Sequence, residues 1–137
     1  MNGNSGDLQR LQTLQNRALR IVLGVDAQFN RETLYETLKM DRLNERWKKH
    51  AIVQIYKAIH DLLPESLCSR VVLRQHYYKV RNNDKIVSLP KPRTNMLKRS
   101  PLYNAAKIFN NLPQNIWIID NLSAFTKAIL KVNFNSL

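Results

Sequence analysis

The stretch "DRLNERWKKHAIVQIYKAIHDLLP" constrains the fold more than any other part of the chain. Leu43, Trp47, Ala51, Val53 or Gln54, Ile55, Ala58 and Leu62 recur at steps of three and four, the spacing that stacks side chains on one face of an α-helix. Asp41 is placed to cap the helix. Pro64 either stops it or opens a new one, because proline lacks the amide hydrogen a helix interior needs. An apolar stripe of this length must be buried against other elements, and the rest of the chain offers further helices for the purpose.

In "LQRLQTLQNRALRIVLGV", Leu8, Leu11, Leu14 or Gln15, Ala18, Ile21, Val22 and Val25 fall at helical spacing after Asp7, and Gly24 sits where a helix would end. Arg10 and Arg17 are seven apart and share a face, with Arg20 a turn further along. Leu8, Leu11, Ala18, Ile21 and Val22 are therefore expected in the core, with the arginines outside. "NRETLYETLK" reads as a short capped helix with Leu34 and Leu38 inward, followed by a break at Met40 and Asp41. Pro64 can begin a brief helix in "PESLCSRV". Ser100 followed by Pro101 opens "PLYNAAKIFNN" as an N-cap with proline at the first helical position. After "QNIWIID", whose Trp117 and isoleucines can cover the core, Asn121 or Ser123 caps a last helix. Leu122, Phe125, Ala128 or Ile129 and Val132 form its apolar face, with Lys127 and Lys131 outside.

Helical periodicity lapses between Val71 and Ser100. "VVLRQHYYKV" and "DKIVSLPKPR" place β-branched and aromatic residues around the turn-forming "RNND", which predicts a β-hairpin or an extended arm over about 72–98. Pro90 and Pro92 put its end at an edge or in a loop. The expectation is a mainly α fold: one domain of about five helices over 7–134 with a short β-hairpin or extended basic insert, after an unstructured 1–6.

The charge is concentrated in that insert. The chain carries 22 Lys and Arg against 10 acidic residues, a formal +12. Arg70, Arg74, Lys79, Arg81, Lys85, Lys91, Arg93, Lys98 and Arg99 against Asp84 supply +8 of it. His76, Tyr77 and Tyr78 lie among them. Cations spaced along a groove suit phosphates, and flat rings suit unpaired bases. Nucleic-acid contact, a solvated edge protected against aggregation, and an acidic protein partner all remain open readings. The nucleic-acid candidates are Arg70, Arg74, Tyr77, Tyr78, Lys79, Arg81, Lys85, Lys91, Arg93, Lys98 and Arg99, with Arg10, Arg17 and Arg20 in support.

Other chemistry finds little footing. Cys68 is the sole cysteine, which excludes an internal disulfide and an ordinary zinc cluster; a small thiol buried among Leu67, Val71 and Val72 is expected. His50 and His60, ten apart, turn about 80° from each other on one helix and do not make a shared metal face. Asp61 and Glu65 straddle a proline break, where two acids cap a helix or pair with a cation more often than they share a catalytic cleft. There is no glycine-rich phosphate loop and no Gly-x-Ser-x-Gly turn. No catalytic residue, metal or other cofactor, or small-molecule substrate is expected. No apolar run approaches the roughly 20 residues that span a bilayer, and no leader pattern stands at the N-terminus, so an intracellular, non-secreted protein is expected, nuclear or cytoplasmic.

Several stretches in order carry a resemblance: "LQRLQTLQNRALRIVLGV", "IYKAIHDLLPESL", the basic run toward "PKPRTNMLKRSPLYNAAKIFNNLPQNI", and "LSAFTKAILK". Together they resemble the C-terminal region of the endonuclease–reverse transcriptase polyprotein of jockey-like or CR1-like non-LTR retrotransposons, from about Leu8 to about Val132. Where that family has Trp-Asn-x-Leu-Pro, this chain has Phe109-Asn110-Asn111-Leu112-Pro113, and Phe109 is expected to fill the same core socket without an indole donor. The resemblance implies a segment beyond the polymerase that helps grip template RNA or target DNA, either as a fragment of an element or as a retained host gene. The acids that hold metal ions in the family's polymerase and endonuclease have no counterpart: the five aspartates after residue 8 are isolated.

The functional expectation is thus a non-catalytic derivative of an RNA-directed DNA polymerase that binds RNA or DNA through its basic segment without strong sequence specificity. The alternative is a protein-interaction or structural remnant, associating with itself or with a parent polymerase domain. It predicts an apolar patch left open along the Leu8 to Val25 helix. A third reading lays that amphipathic basic helix on anionic lipid, but its stripe is more useful inside a core, and no membrane partner is expected.

Overall fold

In the computed structural model, which describes residues 5–74, 86–132 and 134, the chain is mainly helical. The helices are α1 (Ser5–Leu23), α2 (Arg31–Leu38), α3 (Leu43–Ile59), α4 (Glu65–Cys68), α5 (Asn95–Lys98), α6 (Pro101–Asn110), α7 (Gln114–Trp117) and α8 (Leu122–Lys131). Eight among the described residues exceed the expectation of about five because three of them, α4, α5 and α7, are four-residue single turns, of which only α4 is signalled by the sequence. The backbone groups into two compact units, Met1–Arg46 and Trp47–Leu137, with α3 running across the boundary.

Three helices end in the same way. Gly24 (φ 64°) follows α1, with its N–H on the Ile21 carbonyl at 3.2 Å and the Val25 N–H on the Arg20 carbonyl at 3.1 Å. This pair of bonds is the Schellman stop. Lys39 (φ 49°) ends α2 likewise, and Asp61 (φ 53°) follows α3 with Leu62 N–H on the Lys57 carbonyl at 2.8 Å. The long helix therefore closes at Ile59, well before Pro64, and Pro64 caps α4 rather than entering it. Asn30 caps α2 through the Glu32 N–H at 2.9 Å, and Asn121 caps α8 through the N–H groups of Ser123 and Ala124. Ser100 and Pro101 open α6 as N-cap and first helical residue, as the sequence predicts.

In the first unit α1 turns a polar face inward. Asn16 and Leu19 are buried, and Leu34 and Tyr35 of α2 are buried with them. The Tyr35 hydroxyl donates to Asn16 Oδ1 and accepts from Gln12 Nε2; Gln12 Oε1 accepts the Leu43 N–H at 3.2 Å; Gln15 Nε2 donates to the Asp41 carbonyl at 3.2 Å. The expected core set for this helix is overturned: Leu11, Ala18, Ile21 and Val22 are exposed and Leu8 is half-buried. The unit is tied by side-chain amides, which need partners when buried, so the face that holds them takes the interior. The expected unstructured start fails at Ser5 and Gly6, which already belong to α1; residues 1–4 lie outside the described part.

The second unit has the apolar core. Ile52, Ile55 and Tyr56 of α3, Ala105, Ala106 and Phe109 of α6, and Phe125 and Ile129 of α8 are buried together with Val87, Leu112, Ile116 and Phe134. Phe125 stacks on Tyr56 with ring centroids 4.0 Å apart, and Phe109 stacks on Trp117 at 6.3 Å. Phe109 is buried, and Lys127 and Lys131 are exposed, as expected. Ile118 faces out instead of covering the core, and Leu67 and Val72 leave Cys68 only half-buried, its thiol donating to the Leu63 carbonyl at 3.1 Å.

Of the expected hairpin, residues 75–85, with the turn, lie outside the described part; its described ends are joined by one antiparallel bridge between Leu73 and Val87. Arg74 N–H donates to the Ile86 carbonyl and Ser88 N–H to the Val72 carbonyl, both at 2.7 Å. Beyond it the chain has no regular secondary structure through Pro90 and Pro92, and then turns helical in α5, which the extended reading to residue 98 did not anticipate.

Candidate nucleic-acid interface

Within the second unit one side chain of α6 bonds both backbone groups of Val87 in the basic segment. Asn110, the last residue of α6, accepts the Val87 N–H at its Oδ1 and donates from its Nδ2 to the Val87 carbonyl, both at 2.9 Å. An amide side chain thus occupies the position a neighbouring strand would take, and Val87 is buried beneath it. Sequence reasoning noticed this asparagine in the Phe-Asn-x-Leu-Pro motif but assigned it no role; only the carboxamide's ability to both donate and accept could have hinted at one.

Three segments carrying cations meet around a small depression of about 90 Å³ lined by Arg70, Val71, Val87, Pro90, Leu97, Ser100 and Tyr103, among others. Arg70 follows α4 on a turn closed by its N–H to the Leu67 carbonyl at 3.2 Å. Arg74 stands beside the Leu73–Val87 bridge, Lys91 follows Pro90, and Lys98 and Arg99 lie between Leu97 and Ser100 at the end of α5. Thr94 holds α5 in place by accepting the Leu97 N–H at 3.3 Å. Arg70, Arg74, Lys91, Arg93, Lys98 and Arg99 are all exposed, and among the described residues none of the six makes an ion pair. Within residues 70–74 and 86–99 there is no acid to neutralise them.

Arg70 also borders a larger open groove of about 510 Å³, mostly apolar, whose lining includes Trp47, His50, Gln54, Leu67 and Leu102. The groove was not foreseen, since it is assembled from α3, the α4 region and the start of α6. His60 instead packs its ring against Tyr56 at a tilt of 35°, with ring centroids 4.2 Å apart, and does not line this groove. Burial raises the Tyr56 phenol above its ordinary pKa, with the Asp120 charge adding to the effect; its hydroxyl donates to the Ile119 carbonyl at 3.1 Å.

The remaining candidates divide. Tyr77, Tyr78, Lys79, Arg81 and Lys85 lie outside the described residues. Arg10 and Arg17 are exposed on α1 in the first unit, Arg10 within 4.0 Å of Asp7 in a solvated pair of little energetic weight. Arg20 is only half-exposed, and its buried Nε has no hydrogen-bond partner among the described residues. Burial raises the Tyr35 phenol pKa, while the Arg42 guanidinium, 5.6 Å from the ring centroid, the Gln12 hydrogen bond and the Arg20 and Arg31 charges oppose the shift.

Among the described residues no three His, Cys, Asp or Glu side chains gather as metal ligands do, and no helix is long and apolar enough to cross a membrane. Comparison with protein-family models, with curated proteins and with solved structures returns no match.

Proposed function

We propose that this chain is a non-catalytic, sequence-independent nucleic-acid-binding module, derived from the region beyond the reverse transcriptase of a non-LTR retrotransposon. The observation that carries the binding reading is the set of six exposed cations, Arg70, Arg74, Lys91, Arg93, Lys98 and Arg99, on segments that meet at one depression with no acid among them. Exposed cations cost little to bring to a phosphate, because no existing ion pair must break. Trp47 and His50 in the adjoining groove offer flat rings beside Arg70, which suits a strand with unpaired bases. The derivation rests on the order of the motifs, and in one of them Asn110 bonds both backbone groups of Val87.

The test is a salt titration of binding to single-stranded RNA, duplex RNA and duplex DNA of scrambled sequence. Six phosphate contacts on a single strand give a slope of log K against log salt of about −4. Replacing Arg70, Arg74, Lys91 and Arg93 by Ser should make the slope shallower by about 3 and remove most binding at physiological salt. Affinity that stays flat between about 50 and 200 mM salt rejects phosphate contact.

A further inference from the structure

The helix α1 is amphipathic in an inverted sense. Its inward face is made of Gln12, Asn16, Leu19 and their neighbours, joined by side-chain hydrogen bonds to Tyr35 and Leu43. Its outward face presents Leu11 at 53%, Leu14 at 61%, Ile21 at 72% and Val22 at 70% exposure, with Ala18 between them. Successive steps of three, four and three from Leu11 through Leu14 and Ala18 to Ile21 form the seam of a helix pair over two turns and more. A solvated helix has no use for such a seam, and contiguous exposed apolar side chains of this kind mark contact surfaces.

The edge of the seam says what fits it. On a helix of 100° per residue, Arg10 and Arg17 fall within about 60° of Leu14, on the side away from Leu11 and Val22. From Leu8 to Val25 there is no acid; Arg10 has only the exposed, solvated contact with Asp7 at 4.0 Å, and Arg17 makes no ion pair among the described residues. We propose that α1 docks an amphipathic helix of another protein, one with an apolar seam and carboxylates along one flank. A second copy of this chain is a poorer occupant: antiparallel pairing sets Arg10 and Arg17 against their own copies, and parallel pairing sets them against Gln15 and Val22, which offer no counter-charge. Helix-in-groove recognition of this type takes its affinity from the seam and its choice of partner from the flank.

The inference is independent of the nucleic-acid reading, since its residues lie in the first unit and those of the basic segment in the second. The probe is a fluorescein-labelled peptide of three heptads with Leu at the seam and Glu at the flanks, titrated into the full chain and followed by anisotropy. Three comparisons give the experiment its force: the same peptide with Lys flanks, the Glu peptide with Ser at the seam, and anionic phosphatidylserine vesicles. The Glu–Leu peptide should bind, and the other two peptides should bind at least about tenfold more weakly. L14D/I21D should weaken binding on the order of 30-fold, as loss of a central apolar anchor does. R10E/R17E should transfer the preference to the Lys-flanked peptide. All four positions are solvent-facing, and unchanged helical circular dichroism verifies that the variants fold. Equal binding of the Ser-seam peptide overturns the proposal, since acidity alone would then be read by the basic segment. Self-association of the chain abolished by L14D/I21D, or vesicle binding abolished by it without peptide binding, overturns the choice of partner.

Discussion

Asn110 is the residue whose removal should separate the fold's core from its basic segment. Asn110→Ala deletes two 2.9 Å hydrogen bonds and leaves the N–H and carbonyl of buried Val87 without them. A hydrogen bond contributes about 1 kcal/mol net, and a buried group left unsatisfied costs about 1–3 kcal/mol. Partial access of water to the exposed flank of the segment tempers the second figure, so about 2–4 kcal/mol is the expected loss. A unit of this size has a total stability of about 5–14 kcal/mol at ~0.05–0.15 kcal/mol per residue. The melting midpoint should therefore fall by roughly 8–32 °C, at about 4–8 °C for each kcal/mol. Asn110→Asp sharpens the argument. Its carboxylate can accept from the Val87 N–H but faces the Val87 carbonyl with a second acceptor, whereas the protonated acid can donate there. The folded form then holds that proton more tightly than the unfolded form, which raises the folded pKa. Stability is restored below the ordinary aspartate pKa of about 4 and lost as pH rises through the raised folded value. Thermal melts of both variants between about pH 3 and 7, read by circular dichroism, decide the matter. A loss below about 0.5 kcal/mol for the alanine variant, or no pH dependence beyond wild type for the aspartate, refutes the role given to this side chain.

Phe125, fully buried and stacked on Tyr56, should lose about 3–5 kcal/mol on replacement by Ala, measured by urea unfolding; a loss under about 1 kcal/mol would mean the core closes over the gap. Lys39→Gly should stabilise by up to about 1 kcal/mol, because the left-handed backbone at φ 49° suits glycine, and Gly24→Ala at φ 64° should destabilise by a similar amount. At alkaline pH the raised phenol pKa values of Tyr35 and Tyr56 set the sign: the neutral phenols favour the fold, so stability holds below the ordinary tyrosine value and declines as pH rises through the raised ones. Spectrophotometric titration should show two tyrosines ionising late, and Tyr56→Phe should remove one of them.

Local rules made part of this structure legible before any coordinates. Asn30, Ser100 with Pro101, Asn121 and Gly24 all mark helix ends by chemistry confined to a few residues, and each stands where it was expected. The other two stops were hidden because Lys39 and Asp61 adopt the left-handed conformation at residues that do not advertise it. At both positions the local Schellman bonds, with the following residue's N–H reaching back five residues, hold a non-glycine residue in the left-handed conformation. The same limit applies to the candidate interface. Arg70, Arg74, Lys91, Arg93, Lys98 and Arg99 could be counted as a basic window, but the meeting of their segments at a depression that Arg70 lines involves Asn110 bonding Val87 from 23 positions away.

The inversion of α1 has a more general physical cause. Periodicity reveals that a helix has two unlike faces, but it does not reveal which of them the neighbouring chain will cover. The apolar face was assigned inward on the hydrophobic gain, roughly 1.5–3 kcal/mol for each large side chain fully buried. In this unit the competing face carries Gln12, Gln15 and Asn16, whose amides satisfy the Tyr35 hydroxyl, the Asp41 carbonyl and the Leu43 N–H at the turn between α2 and α3. With α2 only eight residues long, the unit can cover one face of a 19-residue helix and not both. Burying the amide face satisfies the loop polar groups and leaves the hydrophobic gain of Leu11, Leu14, Ile21 and Val22 uncollected. A partner that covers the seam can still obtain it, and Arg10 and Arg17 restrict which partner does.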